Sequence, residues 1–374
     1  MIKTASLTLL ALFGSVAMTL LELGSPLAAA HLAFAVGIVP LIMAAMIHFV
    51  PVLTRTGDPG TWLLRLPQLA QFSGLVVVLA MQSMIPYGLL HAAAAADLIL
   101  AAVLSRWITM RVNTCLGAAH PGWRWYGASL ACLMLALLAI LLQPLWPDFW
   151  RSLRLFHLHL NTLGFVGLAA LGTLPVLIPT ALTRPDPEAG GWLRRRLWLV
   201  AGGALIVASG AAVAWPLAAP GAALMMVAVL GLLGQWSRRF GLRTMLFDGV
   251  AVALLSALSG LMLTLIAGVA HGAGLLPARP ALLAWGTGFL LPLVTGALSQ
   301  LLPVWRWPGP QTPERSLMRS RLAAGGRWRA LFFLLAGMSM LDQQVVAGGL
   351  FAAVAMLRFA YDLLQAVRVT RSTR

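Results

Sequence analysis

Charge is what this sequence has least of. Only 10% of its 374 residues are Asp, Glu, Lys or Arg, against about one quarter in a soluble globular domain. Lysine is nearly missing, with Lys3 the only one. Cysteine is down to two residues, Cys115 and Cys132, and they form no CxxC pair. That argues against a disulfide framework or a zinc ribbon. Tyrosine occurs three times, as Tyr87, Tyr126 and Tyr361. No nucleotide-binding loop, Ser-His-Asp arrangement or paired-carboxylate motif is present, which disfavours hydrolases and ATP-driven pumps.

What remains is apolar. The chain is 60% hydrophobic, in long runs from end to end, most of them near the length that crosses a bilayer. The expected class is all-α: a polytopic membrane protein of about twelve transmembrane helices, surrounded by the lipid bilayer. The predicted spans are 4–24, 30–53, 65–86, 91–112, 126–143, 156–181, 195–217, 220–237, 247–270, 281–303, 327–345 and 347–366. They are separated by turn-rich stretches such as Gly57-Asp58-Pro59-Gly60 and Pro185-Asp186-Pro187. A net charge of +16 could suggest nucleic acid. The arginines are scattered through short loops, however, and no basic domain exists.

Those loops set an expected orientation. With the N-terminus in the cytoplasm, 23 basic residues fall on the cytoplasmic side, from Lys3 to Arg374, and three on the other, Arg151, Arg154 and Arg279. The positive-inside rule then places both termini in the cytoplasm of a bacterial-type inner membrane. The first helix has a rival reading, a secretory signal with a cleavage site at Ala28-Ala29-Ala30.

The sequence also repeats. The stretch from His31 to Gly57, the stretch from His159 to Arg184 and the stretch 287–309 are each an apolar helix ending at a proline and an arginine-bearing loop. The prolines are Pro51, Pro179 and Pro303, offset by 128 and 124 residues. Pro40 pairs with Pro292, Gly172 with Gly296, and Trp62 with Trp192. The organisation expected is a single membrane domain over 1–374: helix 1 at 4–24, then three pseudo-repeated four-helix arcs at 30–143, 156–270 and 281–366.

Predicted helix 2 opens at His31, carries a proline mid-span and closes on Val-Pro-Val-Leu-Thr before Gly57. It resembles helix 2 of the heme-copper oxidase catalytic subunit. His157-Leu158-His159 resembles the His-x-His of that family's helix 10, although here it lies on helix 6. The resemblance covers nearly the whole chain in architecture and two helices in motif. It implies a twelve-helix frame in three arcs, heme b as a cofactor, copper as a further one, and electron exchange with a periplasmic cytochrome or copper protein. The family's copper site needs a histidine on helix 6 and a His-His pair on helix 7, and its helix 10 carries heme ligands. Here 195–217 and 281–303 hold no histidine. The residues of the family's proton channels are missing too. Dioxygen reduction by the family's mechanism is therefore not expected.

The candidate site residues follow from this inventory. Five of seven histidines, His31, His91, His157, His159 and His271, fall at span ends on one predicted side. Imidazole suits heme iron, copper and zinc. His31 and His159 are repeat equivalents, expected to clamp a flat cofactor across a pore, or else to be interfacial histidines bonded to loop carbonyls. His157 and His159 sit about 200° apart on a helix, so one ligates while the other supports, or they serve two sites. Metal ligation by His91, His271, Met81 and Met84 is a second expectation, since thioethers bind Cu(I), while methionine also fills gaps in apolar bundles. Asp97, inside a span, is a proton acceptor, a histidine partner or an interfacial acid. Three functions follow: a heme- or metal-binding redox, electron-transfer or gas-related protein; a copper or heme transport or assembly protein without catalysis; or a structural subunit of a respiratory complex.

Overall fold

A computed structural model describes residues 1–372 of the chain; Arg374, counted above, lies outside the described residues. Every element among them is helical. Eleven helices are long and apolar enough to cross a membrane. They are α1 (Ile2–Leu20), α2 (Pro26–Thr54), α3 (Leu63–Met81), α4 (Leu89–Asn113), α5 (Gly122–Leu142), α6 (Pro147–Ala181), α7 (Ala189–Val213), α8 (Trp215–Phe240), and, after the short α9 (Leu242–Phe247), α10 (Gly249–Gly272) and α11 (Ala278–Arg306). The last is α14, which runs Val345–Ser372 and of which Val345–Arg368 forms the span.

The remaining predicted span, 327–345, is a shorter helix. It is α13, Gly326–Leu341, with 16 residues. At 1.5 Å per residue it is about 24 Å long, less than the ~30 Å hydrocarbon core. It stops early because Asp342–Gln344 turn away, with Gln343 in the left-handed region at φ 62°. A helix not foreseen, α12 (Pro313–Ala324), precedes it; Thr312 caps its start by accepting a hydrogen bond from the Arg315 N–H. Its arginines and serine had the look of a loop.

The chain divides into two compact units, one of Lys3–Thr173 with Gly190–Met225, the other of Leu174–Ala189 with the chain from 226 onward. In the first, α2 packs on α3, and α4 packs on α3 and α5. Gly74 of α3 lies so close to the Ala35 carbonyl that a Cβ would collide with it. Trp125 stacks on Trp192 at 5.3 Å between ring centres, and its Nε1–H donates to the Leu193 carbonyl at 2.9 Å. In the second unit, α10, α11 and α13 meet at three glycines, Gly260, Gly288 and Gly337, where a side chain on Gly260 would strike the Gly288 backbone. Small residues let helix backbones approach this closely within a membrane.

Three of the long helices are not uniformly α-helical. Each contains a π-helical stretch, at Leu32–Ile38, Leu160–Gly167 and Trp285–Leu290. The starts are 128 and 125 residues apart, nearly the spacing of the prolines. Local chemistry accounts for them. A proline has no N–H, and its ring clashes with the carbonyl four residues back. Pro40 and Pro292 follow the first and third stretches within two residues, and a locally widened turn removes the clash. The second stretch has no such proline. There Asn161 and Thr162 donate to the carbonyls of His157 and Leu158, so side chains compete for the carbonyls that an α-turn would use. Helix ends recur as well: Thr56 N–H donates to Pro51 O and Arg184 N–H to Pro179 O, both at 3.0 Å, with Arg55 and Thr183 left-handed at φ 51° and 53°.

Candidate functional site

The first unit contains the three histidines on which the heme expectation rests, His31, His157 and His159. His31 and His159 have the same local geometry. Each is the last residue before a π stretch. Each hydrogen-bonds through Nδ1 to the carbonyl four residues earlier, His31 to Leu27 and His159 to Leu155, both at 2.8 Å. In this tautomer Nδ1 carries the proton and Nε2 the lone pair. It is also the arrangement by which proteins orient a metal-ligating imidazole. Both rings are half-buried.

His157 plays a different part. Its Nδ1 donates to the Ala136 carbonyl of α5 at 2.9 Å, and the Asn161 amide lies 3.2 Å from its Nε2. The ring is thus held at both nitrogens by protein groups. It lies close enough to His31 for the two to interact electrostatically. Through its bond to Ala136, His157 anchors α6 to α5. Asn161 was missed in the sequence; its position four residues after His157, on the same helical face, was the available signal.

The other predicted ligands are dispersed. His271 hydrogen-bonds through Nδ1 to the Leu276 carbonyl at 2.8 Å and so closes the turn after α10. His91 lies in the first turn of α4. Met81 is the last residue of α3, and Met84 is 71% exposed in the turn beyond it. Among the described residues there is no group of three or more His, Cys, Asp or Glu suited to a metal ion. Asp97 is buried in α4, and its Oδ1 has no hydrogen-bond partner.

Outside the spans, His120 sits in the loop before α5. Its Nδ1 accepts from the Gly122 N–H at 3.3 Å, and its backbone N–H donates to the Leu53 carbonyl at 2.9 Å. Burial, and then the positive charge of Arg194, push its pKa below the ordinary histidine value of 6.5. The acceptor role at Gly122 requires that neutral form.

One reading of the arginines needs correction. They do not all sit in loops. Arg329 is fully buried in the second unit. Its Nη1 donates to Asp362 at 3.0 Å, and its Nη2 donates to the Ser299 hydroxyl and the Leu322 carbonyl. Its guanidinium also lies over Phe359, 5.0 Å from the ring centre. Arg358, one turn before Asp362, donates to the same carboxylate at 3.0 Å. Both ion pairs meet at the one carboxylate of Asp362.

No protein-family model matches this chain, and no curated protein matches it.

Proposed function

We propose that this is a heme-binding protein of the cytoplasmic membrane, redox, electron-transferring or gas-related, akin to the heme-copper oxidases but without their dioxygen-reducing copper site. One observation carries the reading: the twin geometry of His31 and His159, each fixed at Nδ1 by a backbone carbonyl at the mouth of a π stretch. π-Turns within α-helices are frequent at functional sites. Two oriented imidazoles meet the axial needs of heme b. A metal ion held by protein donors alone needs more, and no cluster of three or more His, Cys, Asp or Glu is found among the described residues. The donor chemistry therefore fits heme better than a copper or zinc centre.

His31 and His159 would hold the iron. Heme, when bound, supplies one-electron chemistry or a site for a diatomic gas. The chain's own contribution is to hold the imidazoles rigid and in one tautomer, while His157 and Asn161 tie α6 to α5 beside them.

The same proposal includes the frame. With the short α13 counted as a twelfth crossing, the 23-to-3 division of basic residues supports N- and C-termini in the cytoplasm. The recurrence of π stretches at 128 and 125 residues supports three related four-helix arcs. The histidines would then open toward the periplasm, where a soluble cytochrome or copper protein could exchange electrons.

The test is a reduced-minus-oxidised visible spectrum of the protein purified in mild detergent, with metal analysis of the same sample. Sharp α and Soret bands that disappear in His31→Ala and in His159→Ala are expected. Stoichiometric copper without those bands would move the assignment to copper handling. Absence of both, in protein grown with ample iron and copper, would end the cofactor reading.

A further inference from the structure

The only buried carboxyl of the first unit has no cation to balance it. Asp97 is 9% exposed, inside α4, after the run Ala92–Ala96. It lies eight residues into the helix, or about 12 Å along its axis. Asp97 takes part in neither of the ion pairs made by Asp362. The elements packed on α4 are α2, α3 and α5. Their titratable or charged groups are His31 and His48, Arg65, and Arg124, Tyr126 and Cys132, and none pairs with Asp97. An isolated carboxylate in such surroundings carries a heavy desolvation penalty.

Hydrogen-bond accounting sharpens the point. Ser73 of α3 reaches α4 one turn before Asp97, where it meets the Ala93 carbonyl, and its hydroxyl lies within interaction range of the Asp97 carboxyl. That hydroxyl has a single proton, and it donates it to the Ala93 carbonyl at 2.9 Å. Ser73 Oγ thus offers Asp97 only lone pairs. Two acceptors face each other unless the aspartic acid brings a proton of its own. The reverse arrangement is also available. If Asp97 gives its proton to water, the Ser73 hydroxyl can rotate from the Ala93 carbonyl onto the carboxylate. The released carbonyl keeps its helical bond from the Asp97 N–H, so the swap leaves no backbone group unpaired.

We propose that Asp97 and Ser73 form a proton-binding site within the membrane, at which Asp97 binds and releases one proton and Ser73 reorients its hydroxyl to follow. This reading is independent of whether heme is bound.

Two measurements on the full-length protein test it. The first is labelling in membranes with dicyclohexylcarbodiimide, which reacts with protonated carboxyls in apolar surroundings, followed by peptide mass mapping. An adduct is expected on the Asp97 peptide, diminishing as pH is raised and unaffected by Na+ at constant ionic strength. Asp362, ion-paired to two arginines, serves as the internal control and should remain unlabelled. The second is the infrared difference between wild type and Asp97→Asn, an isosteric change that retains a donor toward Ser73. Loss of one carboxylic-acid C=O band in the variant, and a shift of that band in Ser73→Ala, supports the site even where the reagent fails to reach it. Loss of a carboxylate band instead overturns it. Protection from labelling by Na+ also overturns it, in favour of a cation site.

Discussion

The two compact units handle buried polarity in opposite ways. The second concentrates it in charge: Arg329, Asp362 and Arg358 form a continuous ion network, with Ser299 completing the donor set. The first has no ion pair among its described residues. Its buried hydroxyls Thr8, Ser73 and Ser129 spend their protons on the carbonyls of Gly37, Ala93 and Phe165. His31, His157 and His159 do the same through Nδ1. The difference extends to the π stretches. Two are preceded by histidine, whereas the third is preceded by Ala284 and retains only a threonine, Thr287, back-bonded to Leu283 much as Thr162 is to Leu158. One backbone device thus occurs in a form preceded by histidine and a form without it. The segment without imidazole belongs to the unit secured by charge.

The comparison can be broken most forcefully at Arg329. Arg329→Leu leaves Asp362 buried without its main partner, which costs about 3–5 kcal/mol. The double variant Arg329→Leu, Asp362→Leu should recover most of that, as judged by thermal unfolding in detergent. If the single variant were as stable as wild type, the network would not be what secures the second unit. Next in size is Gly260→Val, whose added side chain would meet the Gly288 backbone. Overpacking at the meeting of Gly260, Gly288 and Gly337 should cost about 1–3 kcal/mol while leaving any heme absorbance of the first unit in place. Trp125→Phe removes a neutral hydrogen bond to the Leu193 carbonyl, and about 1 kcal/mol is expected.

The smallest effect concerns His120. Its pKa is depressed in the folded protein, so folding favours the neutral ring. The associated stability is present above about pH 6.5 and is lost as pH falls below it, when the protonated ring can no longer accept from Gly122. In His120→Asn, whose amide oxygen can still accept, the melting temperature should fall less steeply between about pH 7 and 5.

Hydropathy made the spans legible, because the bilayer demands long uninterrupted apolar runs. Pro51 and Pro179 were legible as repeat markers because they close the same left-handed helix ends in both copies. The π stretches were not, since their cause lies in which side chains claim which carbonyls, as His159 and Thr162 do, and hydropathy is blind to that. Arg329 escaped notice because its place in the first turn of a predicted span, two residues after Arg327, reads as a helix end facing the cytoplasm. Only packing reveals that it points into the second unit. Asp97 was visible as an acid within a span, but its relation to Ser73 depends on how α3 and α4 pack. His31 and His159 stood out as equivalents in sequence; their shared carbonyl anchor is a property of the folded helices.

The π stretch in α2 has a geometric consequence. A π-turn amounts to one residue inserted into an α-helix, which advances everything beyond it by about 100° around the axis. The residues on either side of Leu32–Ile38 therefore obey two separate helical phases. Deleting one residue within that stretch would merge the phases. The helix would remain as long, as apolar and nearly as helical, yet His31 would swing by about a quarter-turn relative to Pro51 and the helix end. A lesion invisible to composition and hydropathy would thus re-aim one of the two anchored histidines.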